Sequence, residues 1–149
     1  MTDPNLTELA EFASEAADNL SVGRHFSAQA GATTVIDTLL HQMVARGAPF
    51  LNDPLERMRF RGFPDRLEVP DDDTSLDEVR KTCVLVPLRT ALKSYQFPSL
   101  NNPGDPMPTQ FNRHVTVHQV CRAHSTPVNA AVAVMLAASL LREAHESGW

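Results

Sequence analysis

Cysteine is nearly absent from the 149-residue chain, where Cys83 and Cys121 are the only two. Two cysteines make no disulfide framework, and no paired-Cys zinc pattern can be built from them. The sequence also lacks a glycine-rich phosphate loop and a serine nucleophile elbow. Positive charge is scarce, with 13 Lys and Arg against 18 Asp and Glu and a formal net charge of −5. That balance excludes a protein coated in positive charge for non-specific nucleic-acid binding, though not a local basic patch. Long apolar runs are missing too. The longest, residues 130–141, holds 11 apolar residues in 12, short of the roughly 18 that a bilayer span needs. The opening Met1-Thr2-Asp3-Pro4 lacks the basic-then-apolar order of a signal peptide. These absences predict a soluble, cytoplasmic protein with no membrane partner. What is present is enough for a sizeable core: 42 % of the residues are apolar. The length suits a single domain, residues 1–149, rather than two.

The apolar spacing is helical almost everywhere. Leu6, Leu9, Ala13, Ala16 and Leu20 recur at steps of three and four. Asp3 is placed to cap that first helix, with Pro4 at a position where a missing amide costs nothing. Gly23 lies in the gap before a second helix over residues 24–46, with an apolar face of Val35, Ile36, Leu39, Leu40 and Met43. Gly47 and Pro49 stop it. Residues 47–74 are expected to be irregular, apart from a short helix from 53 to about 59. Thr74 or Ser75 starts a third helix running to about 95, with Leu76, Val79, Cys83 and Val86 as its buried stripe and Pro87 as a kink. Residues 96–108 read as a proline-rich loop. A fourth helix is expected from 109 to about 121, and Thr126 with Pro127 opens a last one. That last helix is apolar nearly all round, which predicts burial on every side, in part against a second subunit. The expected fold is an all-α bundle of five or six helices, without strands.

The residues with the most chemical potential are Phe111-Asn112-Arg113-His114-Val115-Thr116-Val117-His118. RNA carries its own nucleophile, the 2′-hydroxyl beside the scissile phosphate. Cleavage needs a base for that proton, an acid for the leaving 5′-oxygen, and positive charge over the phosphorane. Histidine can take or give a proton near neutral pH. Arginine stays charged and grips two phosphate oxygens in a fork. Arg113 and His118 are therefore a minimal set. On a regular helix His114 and His118 share a face, whereas residues five apart point about 140° from each other. The length of the Arg side chain, an irregular first turn of the helix, or a second subunit bringing its own Arg113 or His118 across would each close that gap. Two other readings of the same residues stay open. The histidines can be polar residues of a bundle interface, with Arg113 in a surface ion pair. They can also begin a zinc site with His124 as third ligand, although no acidic residue lies between Asp105 and Glu143 to complete it.

The string Asn112-Arg113-His114-x-x-x-His118 resembles the signature of the HEPN superfamily of small helical domains, in a prokaryotic branch. The resemblance covers about residues 85–142, with the motif region at about 108–146. Thr126-Pro127-Val128-Asn129-Ala130 is similar to the polar connection and apolar helix that follow the motif in that branch. Gln119 stands where the branch usually has glycine. The resemblance implies a metal-independent endoribonuclease that needs no cofactor, with Arg113, His114 and His118 catalytic and Asn112 against the RNA. It also implies a homodimer with the active site at the subunit interface. A toxin held by an antitoxin, an anti-phage effector, or one domain of a larger parent protein would all fit. The alternative is a non-catalytic HEPN-like module that binds RNA, a nucleotide or a protein partner, and a third reading is a purely structural dimerisation module.

Arg57, Arg59, Arg61 and Arg66 are four of the 13 basic residues and fall within ten positions, with Phe60 and Phe63 between them. Arg57, Arg59 and Arg61 could hold an RNA backbone while the rings stack on bases. The competing arrangement pairs these arginines with Asp53, Glu56, Asp65 and Glu68 and tucks the rings into the core. His25 and His41 read as ordinary helix residues, and Cys83 as core.

Overall fold

The computed structural model describes residues 4–46, 75–93, 108–118 and 121–147. They form five helices and, among the described residues, no strand: α1 (Pro4–Ser21), α2 (His25–Arg46), α3 (Leu76–Lys93), α4 (Arg113–His118) and α5 (Pro127–Glu146). The expected cap Asp3, the short helix near 53–59, the loop at 96–107 and the cluster Arg57, Arg59 and Arg61 lie outside the described residues.

Of the stripe its spacing predicts, helix α1 buries Leu6, Leu9 and Ala16 and leaves Ala13 and Leu20 half-buried. It ends on Gly23, whose φ of 78° lies in the left-handed region that glycine enters without a Cβ penalty. The Arg24 amide donates to Asn19 O at 2.8 Å and the Gly23 amide to Leu20 O at 3.0 Å, which satisfies two orphan carbonyls of the last turn. This tight reversal lays α2 back along α1. Helix α2 is the centre of the bundle and packs against α1, α4 and α5. Its Ala28, Ala32, Val35, Ile36, Leu39, Leu40 and Met43 are buried at helical spacing.

Ser75 and Glu78 open α3 as a reciprocal capping box: the Glu78 amide donates to Ser75 Oγ at 3.2 Å, and the Ser75 amide to Glu78 Oε2 at 2.9 Å. The helix continues through Pro87. The face it buries differs from the expected one. Leu76 is 87 % exposed, Val79, Cys83 and Val86 are exposed as well, and the buried residues are Leu85 and Leu88. Both sets satisfy helical spacing, so periodicity alone could not choose between them. An ion pair accompanies the observed face. Arg80 Nε donates to Glu143 Oε2 of α5 at 3.1 Å, and Arg80 also pairs with Glu146. The Glu143 side chain is fully buried and accepts a further bond from Ser147 Oγ at 2.8 Å, so its charge is matched on both oxygens.

Helix α5 begins as its sequence predicts. Thr126 is extended, with φ −90° and ψ 158°, and its hydroxyl accepts from the Asn129 amide, with Pro127 in the first turn. By length and composition α5 could cross a membrane. In this fold Ala130, Ala133, Leu136, Ala137, Leu140 and Ala144 pack into the core against α1, α2 and α3. The expectation of burial on every side does not hold within one chain: Val128 is 70 % and Met135 68 % exposed, with Val132 between them.

Candidate functional site

The motif helix α4 is described over six residues, Arg113–His118, and starts four residues later than the expected start at 109. Its start is set by Asn112. The Asn112 side chain accepts from the Val115 amide at 3.2 Å, a capping bond, and the Thr116 amide donates to Asn112 O at 3.1 Å. Residues 109–112 therefore precede the helix rather than belong to it. At the far end, the Cys121–His124 region forms a separate turn, in which the His124 and Ser125 amides both donate to Cys121 O.

Beneath α4 lies a buried polar network. His124 is almost fully buried. Its Nδ1 is 3.1 Å from Pro108 O, and its Nε2 is 3.3 Å from the Asn112 amide nitrogen and 3.4 Å from Thr116 Oγ1. The same Nε2 lies 3.2 Å from Asn112 O, so each ring nitrogen faces a backbone carbonyl. Thr116 Oγ1 donates to Asn112 O at 3.0 Å and accepts from Gln29 Nε2 of α2 at 2.8 Å. The Asn129 side chain of α5 donates to His124 O at 2.8 Å and to Thr109 O at 3.1 Å. Three segments distant in sequence are thus pinned around the first turn of α4. Asn129→Ala leaves two carbonyls without this donor and should cost about 1–3 kcal/mol. The urea midpoint would fall with an unchanged slope, and an unchanged midpoint would show that the network contributes nothing to stability.

Arg113 is buried to about the same degree as the core, and its Nε pairs with Asp37 Oδ1 of α2. The helical backbone places His114 and His118 one turn apart on α4, and their side chains lie outside the described residues.

The structure therefore gathers Asn112 and Arg113 at one helix start, but gives them internal partners. Asn112, expected against RNA, is 1 % exposed and spends its side chain on the cap. His124, weighed as a zinc ligand, has both ring nitrogens facing protein groups. No group of three or more His, Cys, Asp or Glu suited to a metal ion occurs among the described residues. Asp37 and Gln29 escaped the reading of the sequence, and Asn129 entered it only within the connection that follows the motif. Asp37 lies 76 positions before Arg113, and Gln29 lies 87 before Thr116, so no local spacing links them. No family model, curated protein or solved structure matches the chain.

Proposed function

We propose that the chain is a HEPN-like, metal-independent endoribonuclease that acts as a homodimer. The observation that supports this reading most is the buttressing of α4. Among its described residues α4 buries one apolar side chain, Val115, yet Asp37, Gln29, His124 and Asn129 all bond to it or to the backbone leading into it. Such support around a short segment is what a site needs when its charged groups must be held within about half an ångström of their working positions. In the proposed reaction, a His118 imidazole takes the 2′-hydroxyl proton as O2′ bonds to phosphorus. The P–O5′ bond breaks, a second imidazole supplies the proton to O5′, and Arg113 stabilises the phosphorane charge. The products are a 2′,3′-cyclic phosphate and a 5′-hydroxyl. The exposed strip Val128, Val132 and Met135 supports a dimer through α5, where a second copy would bring its motif close. A cytoplasmic role as a toxin controlled by an antitoxin, or as an anti-phage effector, belongs to the same proposal.

One observation favours a second reading. The pairing of Arg113 with Asp37 offsets the very charge that a phosphate would need. A non-catalytic HEPN-like module binding RNA, a nucleotide or a protein would tolerate that pairing. End-labelled RNA incubated with the protein in EDTA separates the two. Cleavage to a 2′,3′-cyclic phosphate, by a species that sediments as a dimer, is the expected result. Metal-dependent cleavage leaving a 3′-hydroxyl, or binding without cleavage, would overturn the ribonuclease reading. Met135→Asp is expected to shift the dimer to monomer, because it would bury an unpaired carboxylate.

A further inference from the structure

A second surface, away from the motif, has its own chemistry. Helix α1 carries four carboxylates, Glu8, Glu11, Glu15 and Asp18, and no Lys, Arg or His. Among the described residues none of the four forms an ion pair. Two of them, Glu8 and Glu15, line a groove of about 420 Å³ between α1 and α2, with a floor of Leu9, Ala16 and Val35. Phe12 stands between the two carboxylates and is 50 % exposed. The opposite wall is rich in acceptors. The Thr34 and Thr38 hydroxyls donate back to Ala30 O and Thr34 O of their own helix, which leaves their lone pairs toward new donors. On the same wall Gln42 Oε1 is buried with no partner, and on the α1 side Asn19 Nδ2 donates to Glu15 O at 3.0 Å. No cationic side chain lines the groove among the described residues.

We propose that this groove docks a cationic amphipathic helix of a partner protein. Its apolar side chains would lie on Leu9, Phe12 and Val35, and its Lys or Arg side chains would meet Glu8 and Glu15. The lining runs from Asn5 to Asn19, which at 1.5 Å per residue is about 21 Å, the length of a helix of about 14 residues. Glu8 and Glu15 are seven apart, so cations two turns apart on a helix laid alongside reach both. Phe12 offers a ring face to a cation and an apolar body to its stem. A nucleic acid is disfavoured by the same four carboxylates. The proposal does not depend on the ribonuclease reading, because none of these residues belongs to the motif or its supports.

The test is fluorescence anisotropy of the full-length protein with a labelled 14-residue peptide of Leu and Lys patterned as an amphipathic helix. The expected result is micromolar binding that falls at least tenfold in Glu8→Gln/Glu15→Gln and several-fold in Phe12→Ala. Glu11→Gln/Asp18→Asn makes the same change of net charge outside the groove and should alter affinity less than twofold. Circular dichroism checks that each exposed substitution leaves the fold intact. The proposal is overturned by absence of binding at millimolar peptide, or by equal weakening in the two double variants, which would mean diffuse attraction. Spermine competing as well as the peptide would make the groove a small-cation site and overturn the helix. Tighter binding of a peptide of residues 55–66 would assign the groove to this chain itself and overturn the partner.

Discussion

His118→Ala is expected to slow RNA cleavage about 10²- to 10⁴-fold, the loss that follows removal of a group that moves a proton in the transition state. The proposed reaction transfers two protons, and the proposed dimer would supply His118 from each subunit, so its removal would strike both transfers. His114→Asn should be milder, because asparagine can still hold a phosphate oxygen or position its neighbour but cannot exchange a proton near neutral pH. Arg113→Lys keeps the charge and loses the planar fork, and substantial impairment is expected if two phosphate oxygens are gripped together. Each variant needs an unchanged sedimentation profile and urea midpoint before its rate is compared. Wild-type cleavage by folded, dimeric His118→Ala would remove the motif from the chemistry and leave the binding module in front.

Much of this fold could be read from local signals. The capping sequence Thr126-Pro127 marks the start of α5, and Gly23 marks the break between α1 and α2, because both act within a turn of their own position. The stripes of α1 and α2 were legible for a similar reason, since each has one apolar face and no competitor. Helix α3 shows where this stops. It offers two apolar faces at helical spacing, and the buried one is the face on which Leu85 and Leu88 meet the core while Arg80 reaches Glu143. An ion pair between residues 63 apart leaves no trace in a hydrophobic pattern. The candidate site divides in the same way. Its string of Asn112, Arg113, His114 and His118 is visible in one stretch of sequence. The groups that hold it, Asp37, Gln29, His124 and Asn129, are scattered across two other helices and a turn. The late start of α4 follows from them, because His124 and Asn129 hold residues 108–112 by their backbone groups outside the helix.

The Arg113–Asp37 pair can be tested for its two roles separately. Removing one partner takes away the opposite charge of this pair in a mostly dry setting. Complete burial would make that cost about 3–5 kcal/mol. Solvent reaches both groups, with side-chain exposures of 10 % for Arg113 and 23 % for Asp37, so about 1–3 kcal/mol is expected for Arg113→Ala or Asp37→Ala alone. The combination Arg113→Met/Asp37→Leu removes both charges and keeps most of the volume. Its urea midpoint should return to within about 1 kcal/mol of the wild type, as apolar replacement of paired charges is often close to neutral. Stability and activity then part company. With Arg113 over the phosphorane, the stable double variant remains about 10²-fold or more slower, since losing one preorganised donor to a developing oxyanion costs at least that much. With Arg113 serving only to tie α4 to α2, cleavage recovers together with the fold. Asp37→Asn completes the comparison: it keeps a hydrogen-bond acceptor for Arg113 while releasing the charge. Faster cleavage or tighter RNA binding in Asp37→Asn than in wild type would mean that Asp37 restrains the cation. A loss of activity matching that of Arg113→Ala would mean that Asp37 holds the guanidinium in its working orientation.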